Sequence, residues 1–258
     1  MDLHLIGASA LARRIKDGEV TAEAALEHFI DRIERLDGAL NAVVVRRFEQ
    51  ARERAREADR ALARGEDWGA LHGVPMTVKE TYEIAGWPTT AGIEALREHV
   101  SERTSVAVQR LLDAGAVIFG KTNVPAYASD LQTYNDIYGT SRNPWNPDLT
   151  PGGSSGGAAA ALAAGFTPLE LGSDIGGSIR TPAAFCGVCG LKPSFGLIST
   201  RGHVPGPPGA LARRDLSVAG PLARHVADLE QALTILAAPD EEEATAWRLE
   251  LPPARHRA

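Results

Sequence analysis

Two clusters of glycine and serine, together with a lysine that precedes them, have the clearest chemical potential in this sequence. The clusters span residues 152–157 and 174–180, and Lys79 ends an alternating apolar segment. A serine attacks poorly until a base takes its proton, and lysine can be that base only if its surroundings lower its pKa from about 10.4 towards neutrality. Glycines before a serine leave backbone N–H groups free to stabilise an oxyanion. These residue types suit acyl transfer. Taken alone, however, each cluster is more typical of a linker or a tight turn, and a lone lysine is more typically a solvated side chain.

The first cluster also contains two overlapping Gly-x-Ser-x-Gly patterns, as in the nucleophile elbow of α/β-hydrolases. That elbow needs a buried strand immediately before it, whereas residues 143–151 contain three prolines and predict a loop. In this alternative Ser154 or Ser155 would be the nucleophile. A histidine such as His203 or His225 would then be the base.

Two further patterns resemble binding motifs. Residues 115–122 match the phosphate-loop pattern, but the spacer at 116–119 is apolar and predicts a strand instead of a loop that wraps an anion, so we reject a phosphate site. Cys186 and Cys189 form a Cys-x-x-Cys pair. Since zinc would need two further ligands nearby, we predict that both are small buried residues.

Composition limits the classes of function. The chain has 258 residues, 44% of them hydrophobic and 23% charged, with a net charge of -6. The acidic balance disfavours direct nucleic-acid binding, because proteins that bind nucleic acid usually have a basic surplus. The sequence shows neither a signal peptide nor an apolar run long enough to span a membrane. We therefore expect a cytoplasmic protein that acts on a small molecule, with no metal or organic cofactor.

The elements that must position these residues follow from hydrophobic periodicity. Thr21 is a predicted N-cap for a helix whose apolar face includes Leu26, Phe29, Ile30, Ile33 and Leu36. Further helices are predicted at 48–63, 158–164 and 226–237, and another is predicted to run from Val106 to Gly115. Strands are predicted at 40–45, 73–79, 116–119 and 167–171, with a glycine-rich turn at 174–179. This alternation predicts an α/β fold with a mixed, twisted β-sheet covered by helices.

Taken together, the motifs resemble the amidase signature family, as the N-terminal portion of a bacterial-type amidase. The matching segments are residues 73–80, 120–123, 150–157, 172–180 and 190–193, and the resemblance covers roughly 5–240. It implies Ser178 as nucleophile, Ser154 on a cis peptide bond as proton relay, and Lys79 as base. It further implies an oxyanion hole made of the backbone N–H groups of Ile175, Gly176, Gly177 and Ser178. Asp174 and Arg180 flank this turn and are expected to pair across it.

The resemblance implies an amidase that hydrolyses a carboxamide to a carboxylate and ammonia or an amine through a serine acyl-enzyme. A glutamine-hydrolysing amidotransferase of the A type stays open as an alternative, although residues 203–209 look more like free-standing amidases. An inactive, truncated fragment is the other alternative. Three positions depart from common family residues without touching the triad: Glu80, Ala126 and Ala158.

The resemblance also sets the expected domain organisation. We expect one partial domain over 1–258, with an N-terminal helical segment at 1–65, the catalytic motifs at 66–240 and a tail at 241–258. Family members normally continue for a comparable length, so the chain is expected to be truncated at its C-terminus. A homodimer stays open.

Overall fold

The computed structural model describes residues 2–205 and 214–252 as helices and strands built around a mixed β-sheet. The helices are α1 (Ala8–Lys16), α2 (Ala22–Leu40), α3 (Phe48–Ala63), α4 (Val106–Asp113), α5 (Gly156–Ala163), α6 (Arg180–Cys186) and α7 (Val226–Leu236). The strands are β1 (Val43–Arg46), β2 (Pro75–Lys79), β3 (Val117–Thr122), β4 (Tyr134–Asn135), β5 (Gly139–Thr140), β6 (Leu169–Asp174), β7 (Cys189–Gly190) and β8 (Val218–Ala223). Two ranges named in the sequence predictions lie outside the described part: 206–209 and 253–258. The first belongs to the segment 203–209, whose sequence looks more like free-standing amidases than amidotransferases, and the second belongs to the predicted tail.

The main sheet has the strand order β1-β3-β2-β6-β8-β7. β2 runs parallel to both β3 and β6, whereas β1, β8 and β7 join the sheet antiparallel to their neighbours. This confirms the predicted mixed α/β sheet. Because the parallel strands β2 and β6 are adjacent, their carboxyl ends meet at one edge, where Lys79 and Asp174 are the last strand residues.

The N-terminal segment packs its helices onto this sheet and also contributes β1. The predicted cap of α2 is confirmed, since the Thr21 side chain accepts a hydrogen bond from the N–H of Ala24 at 3.0 Å. Leu26, Phe29 and Ile33 are fully buried, and burial of such side chains stabilises the fold by about 1.5–3 kcal/mol each. Leu36 is 40% exposed, so it lies outside the predicted apolar face. None of the helices in the described ranges is long and apolar enough to cross a membrane.

Several predicted boundaries were wrong by a few residues, and some elements were missed. The strand predicted at 40–45 begins at Val43, because α2 continues to Leu40 and ends at Asn41 in the left-handed region. The strand predicted at 116–119 continues to Thr122, and the one predicted at 167–171 shifts to 169–174. Helices α1 and α6 and strands β4, β5, β7 and β8 were not predicted.

Helix α5 packs against the central strands with almost no side-chain bulk. It has the sequence GGAAAALA and contacts β2, β3, β6 and β8. A Cβ atom on Gly157 would lie 2.4 Å from the backbone nitrogen of Asn123 and 2.9 Å from the carbonyl oxygen of Ala42. Only glycine permits this approach, and the prediction of a deeply buried small-residue helix is confirmed.

Cys186 is buried and Cys189 is half-buried. The Cys186 thiol donates to the carbonyl oxygen of Pro151 at 3.4 Å, and that of Cys189 to the carbonyl oxygen of Arg224 at 3.7 Å. Burial raises the pKa of the Cys186 thiol to about 12, which makes it an unreactive packing residue.

Candidate active site

Lys79 is the last residue of β2, and its side chain is fully buried. Its Nζ donates hydrogen bonds to the Oγ atoms of Ser154, at 2.7 Å, and Ser173, at 2.9 Å. Ser173 is on the neighbouring strand β6, and Ser154 is in the loop before α5. The sheet edge and the α5 loop therefore bring three buried polar side chains together.

The surroundings of Lys79 change its acidity. Burial lowers the pKa of its ammonium to about 7, although the nearby carboxyl groups of Asp174 and Glu170 oppose the shift. A neutral amine is consequently available near pH 7. Such an amine can accept a proton from a hydroxyl group within hydrogen-bonding distance.

The Ser154 loop is held closely against the rest of the protein. The peptide bond between Gly153 and Ser154 is cis. A Cβ atom on Gly153 would lie 2.3 Å from the carbonyl oxygen of Asp130, so a side chain cannot be accommodated there. The N–H of Ser155 donates to the carbonyl oxygen of Ser178 at 3.1 Å. This contact ties the two serine clusters together.

The turn before Ser178 is organised by the buried carboxylate of Asp174. It accepts hydrogen bonds from the backbone N–H groups of Gly177, at 2.8 Å, and Ile179, at 2.9 Å. The Arg180 guanidinium donates to both carboxylate oxygens, at 2.9 and 3.1 Å, so the expected pairing is present. Although burial alone would raise the pKa of Asp174, hydrogen bonds from Arg180, Ile179 and Gly177 lower it to about 2. Asp174 is therefore a permanent anion that shapes the turn.

The four backbone amides predicted to form an oxyanion hole are not equivalent. The N–H of Gly177 is already donated to Asp174, so this group could serve an oxyanion only by sharing its hydrogen. Within the described residues, the N–H groups of Ile175, Gly176 and Ser178 donate to no protein acceptor. Three of the four predicted donors are thus free of other acceptors in that part of the chain.

Ser178 is half-buried and lies in the wall of a small cavity of about 60 Å³. The residues that line this cavity are Tyr127, Ala128, Ser154, Ser173, Ile175, Ser178, His203, Pro205, Arg214 and Ser217. Within the described part of the chain, no hydrogen bond joins the side chains of Ser154 and Ser178. The structure therefore joins Lys79 directly to Ser154, and places Ser154 and Ser178 on one cavity. A larger groove of about 540 Å³, next to α4, contains none of these side chains.

Within the described residues, the geometry matches neither a nucleophile elbow nor a phosphate loop. Residues 143–153 contain no strand ahead of the serines, as a nucleophile elbow would require. His225 Nε2 lies 3.4 Å from the carbonyl oxygen of Leu5, away from the serines. His203 does line the cavity, but its Nε2 lies 3.0 Å from Thr81 Oγ1, and burial together with Lys79 lowers its pKa to about 3. The phosphate-loop lysine, Lys121, is buried on β3 and donates to Pro88 and Thr89.

Sequence reasoning missed Ser173 as a contact of the lysine. It lies inside the 172–180 motif, but nothing in that pattern gave it a role. A hydroxyl residue at the end of a buried strand, just before the glycine-rich turn, was the available signal. Glu170, on the same strand, was also missed.

Comparison with known proteins places this geometry in a family context. The family model described as "Amidase" matches residues 24–256. The A-type subunit of the glutamyl-tRNA(Gln) amidotransferase of Carboxydothermus hydrogenoformans is 40% identical over 252 residues, covering 98% of this chain and 51% of that protein. A putative amidase, AmiB2, of Mycobacterium tuberculosis is 46% identical, covering 93% of this chain and 51% of the relative. The chain spans about half the length of the curated relatives it matches.

Solved structures show the same similarity. A bacterial aryl acylamidase of the amidase signature family superposes with a TM-score of 0.89 at 34% identity, covering 97% of this chain and 51% of that one. Fatty acid amide hydrolase superposes with a TM-score of 0.84 at 31% identity, covering 90% of this chain and 40% of its own.

Proposed function

The chain belongs to the amidase family, and on that premise we propose that it hydrolyses a carboxamide to a carboxylate and ammonia or an amine. The reaction proceeds through an acyl-enzyme on Ser178. The observation that carries this proposal is the buried hydrogen bond between Lys79 and Ser154, at 2.7 Å, together with the cavity that Ser154 and Ser178 both line. That arrangement supports a proton path from a nucleophile to a base.

The first step moves a proton away from Ser178. With Lys79 as a neutral amine, the Ser154 hydroxyl donates to Nζ over the same short distance and can accept the Ser178 proton in turn. The Ser178 oxygen then bonds to the amide carbon, and the carbonyl π electrons move to its oxygen. The pKa of about 7 supports Lys79 as the group that finally holds the proton.

The second step breaks the carbon–nitrogen bond. The free N–H groups of Ile175, Gly176 and Ser178 are the proposed donors to the oxyanion, with Gly177 joining only by sharing its bond to Asp174. Ser154 returns the proton to the leaving nitrogen, which departs as ammonia or an amine. Water then attacks the Ser178 ester, and the same relay takes its proton, releasing the carboxylate and restoring the serine.

A second candidate function has its own support. Relatives at 40% and 45% identity are named as A-type subunits of glutamyl-tRNA(Gln) amidotransferase, so glutamine is a candidate amide. In that case the ammonia would serve a further amidation reaction in a partner. Preference for glutamine over simple amides would favour this candidate.

The experiment that tests the proposal measures ammonia released from acetamide, propionamide, benzamide and glutamine. We expect release from at least one amide, abolished in Ser178→Ala and retained in Ser194→Ala, which changes an exposed serine. Full activity in Ser178→Ala would refute the assignment. No release by a folded wild-type chain would favour an inactive fragment.

We also propose that residues 1–258 act as one partial domain. β1, from the N-terminal segment, pairs with β3 of the motif region, which supports a shared core for 1–65 and 66–240. A homodimer stays a prediction that sedimentation analysis would test.

A further inference from the structure

Glu170 is a buried carboxyl group in the middle of the sheet for which the proposed mechanism has no role. It lies on β6, opposite Thr77 of β2 and Leu222 of β8. The residue is 1% exposed, and within the described residues neither carboxyl oxygen has a hydrogen-bond donor. Burial raises the pKa of Glu170 to about 8, although the nearby hydroxyls of Thr77 and Thr122, the N–H of Leu171 and the charge of Lys79 oppose the shift. The Thr122 hydroxyl is itself donated to the carbonyl oxygen of Val78 at 3.4 Å. No described residue is placed to form a hydrogen bond with a Glu170 carboxylate.

Glu80 shows how the same protein accommodates a buried glutamate that has partners. It follows Lys79 in the sequence and is also fully buried. Its carboxylate oxygens accept hydrogen bonds from the backbone N–H groups of Thr90, at 2.6 Å, and Ala91, at 2.7 Å. Burial raises the pKa of Glu80, although the charge of Lys121 and these backbone N–H groups oppose the shift. Glu170 has no such donors among the described residues, so the two buried glutamates differ in what their environments can stabilise.

Glu170 and Lys79 lie on the same face of neighbouring strands. Thr77 is the register partner of Glu170, and Lys79 is two residues further along β2, so their Cα atoms are about 7–8 Å apart. Lys79 donates to the hydroxyls of Ser154 and Ser173, and within the described residues it forms no ion pair. The two groups are close enough to interact, but they are not joined by a salt bridge.

The other titratable groups described around this pair give Glu170 no compensating charge besides that of Lys79. The Tyr82 hydroxyl donates to the carbonyl oxygen of Gly172 at 2.7 Å. Burial is the main cause that raises the pKa of Tyr82, and the nearby Glu170 adds to the shift. Asp174 is paired with Arg180. Helix α5 packs on these strands and contains only glycine, alanine and leucine. No described cation other than Lys79 acts on Glu170.

A buried carboxylate without hydrogen bonds is so costly that the group takes up a proton instead. We propose that Glu170 is a neutral carboxylic acid at neutral pH. Asp174, which is paired with Arg180, is then the one described carboxylate whose charge acts on Lys79. An ionised Glu170 would favour the ammonium form and remove the free amine that the relay needs. This consequence rests on the proposed function, whereas the protonation state of Glu170 does not.

The first test follows glutamate side chains by NMR in a protein labelled with carbon-13 at the glutamate carboxyl group. We expect one Cδ resonance to titrate near pH 8 and to be missing in Glu170→Gln. The proposal is overturned if the resonance lost in that variant titrates below about pH 5, as an ordinary glutamate does. If Glu170→Gln fails to fold, Glu80→Gln assigns the neighbouring buried glutamate instead. A wild-type chain with no glutamate titrating above about pH 6 then also overturns the proposal.

The second test follows the lysine Cε resonances, of which there are only four, from residues 16, 79, 121 and 192. The resonance missing in Lys79→Met identifies Lys79. Because glutamine imitates a neutral acid, Glu170→Gln should leave the Lys79 midpoint within about 0.5 pH unit of wild type. A fall of one unit or more would show that an ionised Glu170 had held the ammonium. Glu80→Gln is the matched control and should move Lys121 instead of Lys79. Neither measurement requires turnover, so either result is separate from success or failure of the amidase proposal.

Discussion

Replacing Asp174 with asparagine should loosen the turn that presents Ser178. The carboxylate accepts backbone N–H groups from Gly177 and Ile179 and two bonds from the Arg180 side chain. Asparagine keeps one acceptor oxygen and brings an NH₂ group that cannot accept from these donors. The variant should therefore be less stable, and the backbone N–H groups of Ile175, Gly176 and Ser178 should be less firmly oriented.

The expected loss follows from the acidity of Asp174. A pKa that falls from 3.8 in the unfolded chain to about 2 in the folded protein corresponds to about 2.4 kcal/mol at pH 7. The Arg180 side chain is 54% exposed, and water screens its ion pair with Asp174. We therefore expect Asp174→Asn to lower the free energy of unfolding by about 1.5–2.4 kcal/mol at pH 7. Since the folded-state pKa is lowered, this contribution is present above pH 3.8 and is lost as the pH falls towards 2. At pH 3 about half of it should be left.

Urea unfolding of wild type and Asp174→Asn at pH 7 and pH 3 measures this directly. Asp148→Asn, which changes an exposed aspartate in the loop before the first serine cluster, is the matched control and should be close to wild type at both pH values. A variant whose deficit is the same at pH 3 as at pH 7 would refute the argument. A deficit below about 0.5 kcal/mol at pH 7 would also do so.

Three further predictions test the packing and the base. Gly157→Ala should lower the free energy of unfolding by about 1–3 kcal/mol, because the added methyl group overpacks against the backbone of Asn123. Gly38→Ala, in open space on α2, is the control and should be neutral or stabilising. Equal melting temperatures of the two variants would contradict this prediction. Because the folded-state pKa of Lys79 is lowered to about 7, the unfolded chain binds the extra proton between pH 7 and 10.5. The free energy of unfolding of wild type should therefore rise with pH relative to Lys79→Met in that window, and parallel curves would show an unperturbed lysine. Ser173→Ala removes one of two acceptors of the ammonium, so the Lys79 Cε midpoint should move to lower pH; an unchanged or higher midpoint would contradict the contact.

The spacing of apolar residues correctly predicted those helices and strands whose buried positions recur at a regular interval along the chain. The face of α2 and the cap at Thr21 are such cases. β3 was cut short because Lys121 and Thr122 are polar, and only tertiary contacts make them buried strand residues. β8 was missed because Gly220 and Pro221 argue against a strand, although Pro221 pairs opposite Leu171. These elements depend on neighbours far away in the sequence.

The candidate site divides in the same way. Lys79, Ser154 and Ser178 were named from motifs; the structure joins Lys79 to Ser154 and places Ser154 and Ser178 on one cavity. The engagement of the Gly177 amide by Asp174 depends on the shape of the folded turn, which no spacing encodes. Glu170 is one polar residue in an apolar strand, and its lack of donors among the described residues becomes visible only when β2 and β8 close on either side of it.

The most direct test of the central claim is to treat the protein with a fluorophosphonate probe and to map the labelled residue by mass spectrometry. The proposed relay predicts labelling at Ser178, with labelling lost in Lys79→Met and weakened in Ser154→Ala, because both variants interrupt the proton path from the nucleophile. Labelling at Ser154 or Ser155 instead of Ser178, or undiminished labelling in folded Lys79→Met, would contradict it.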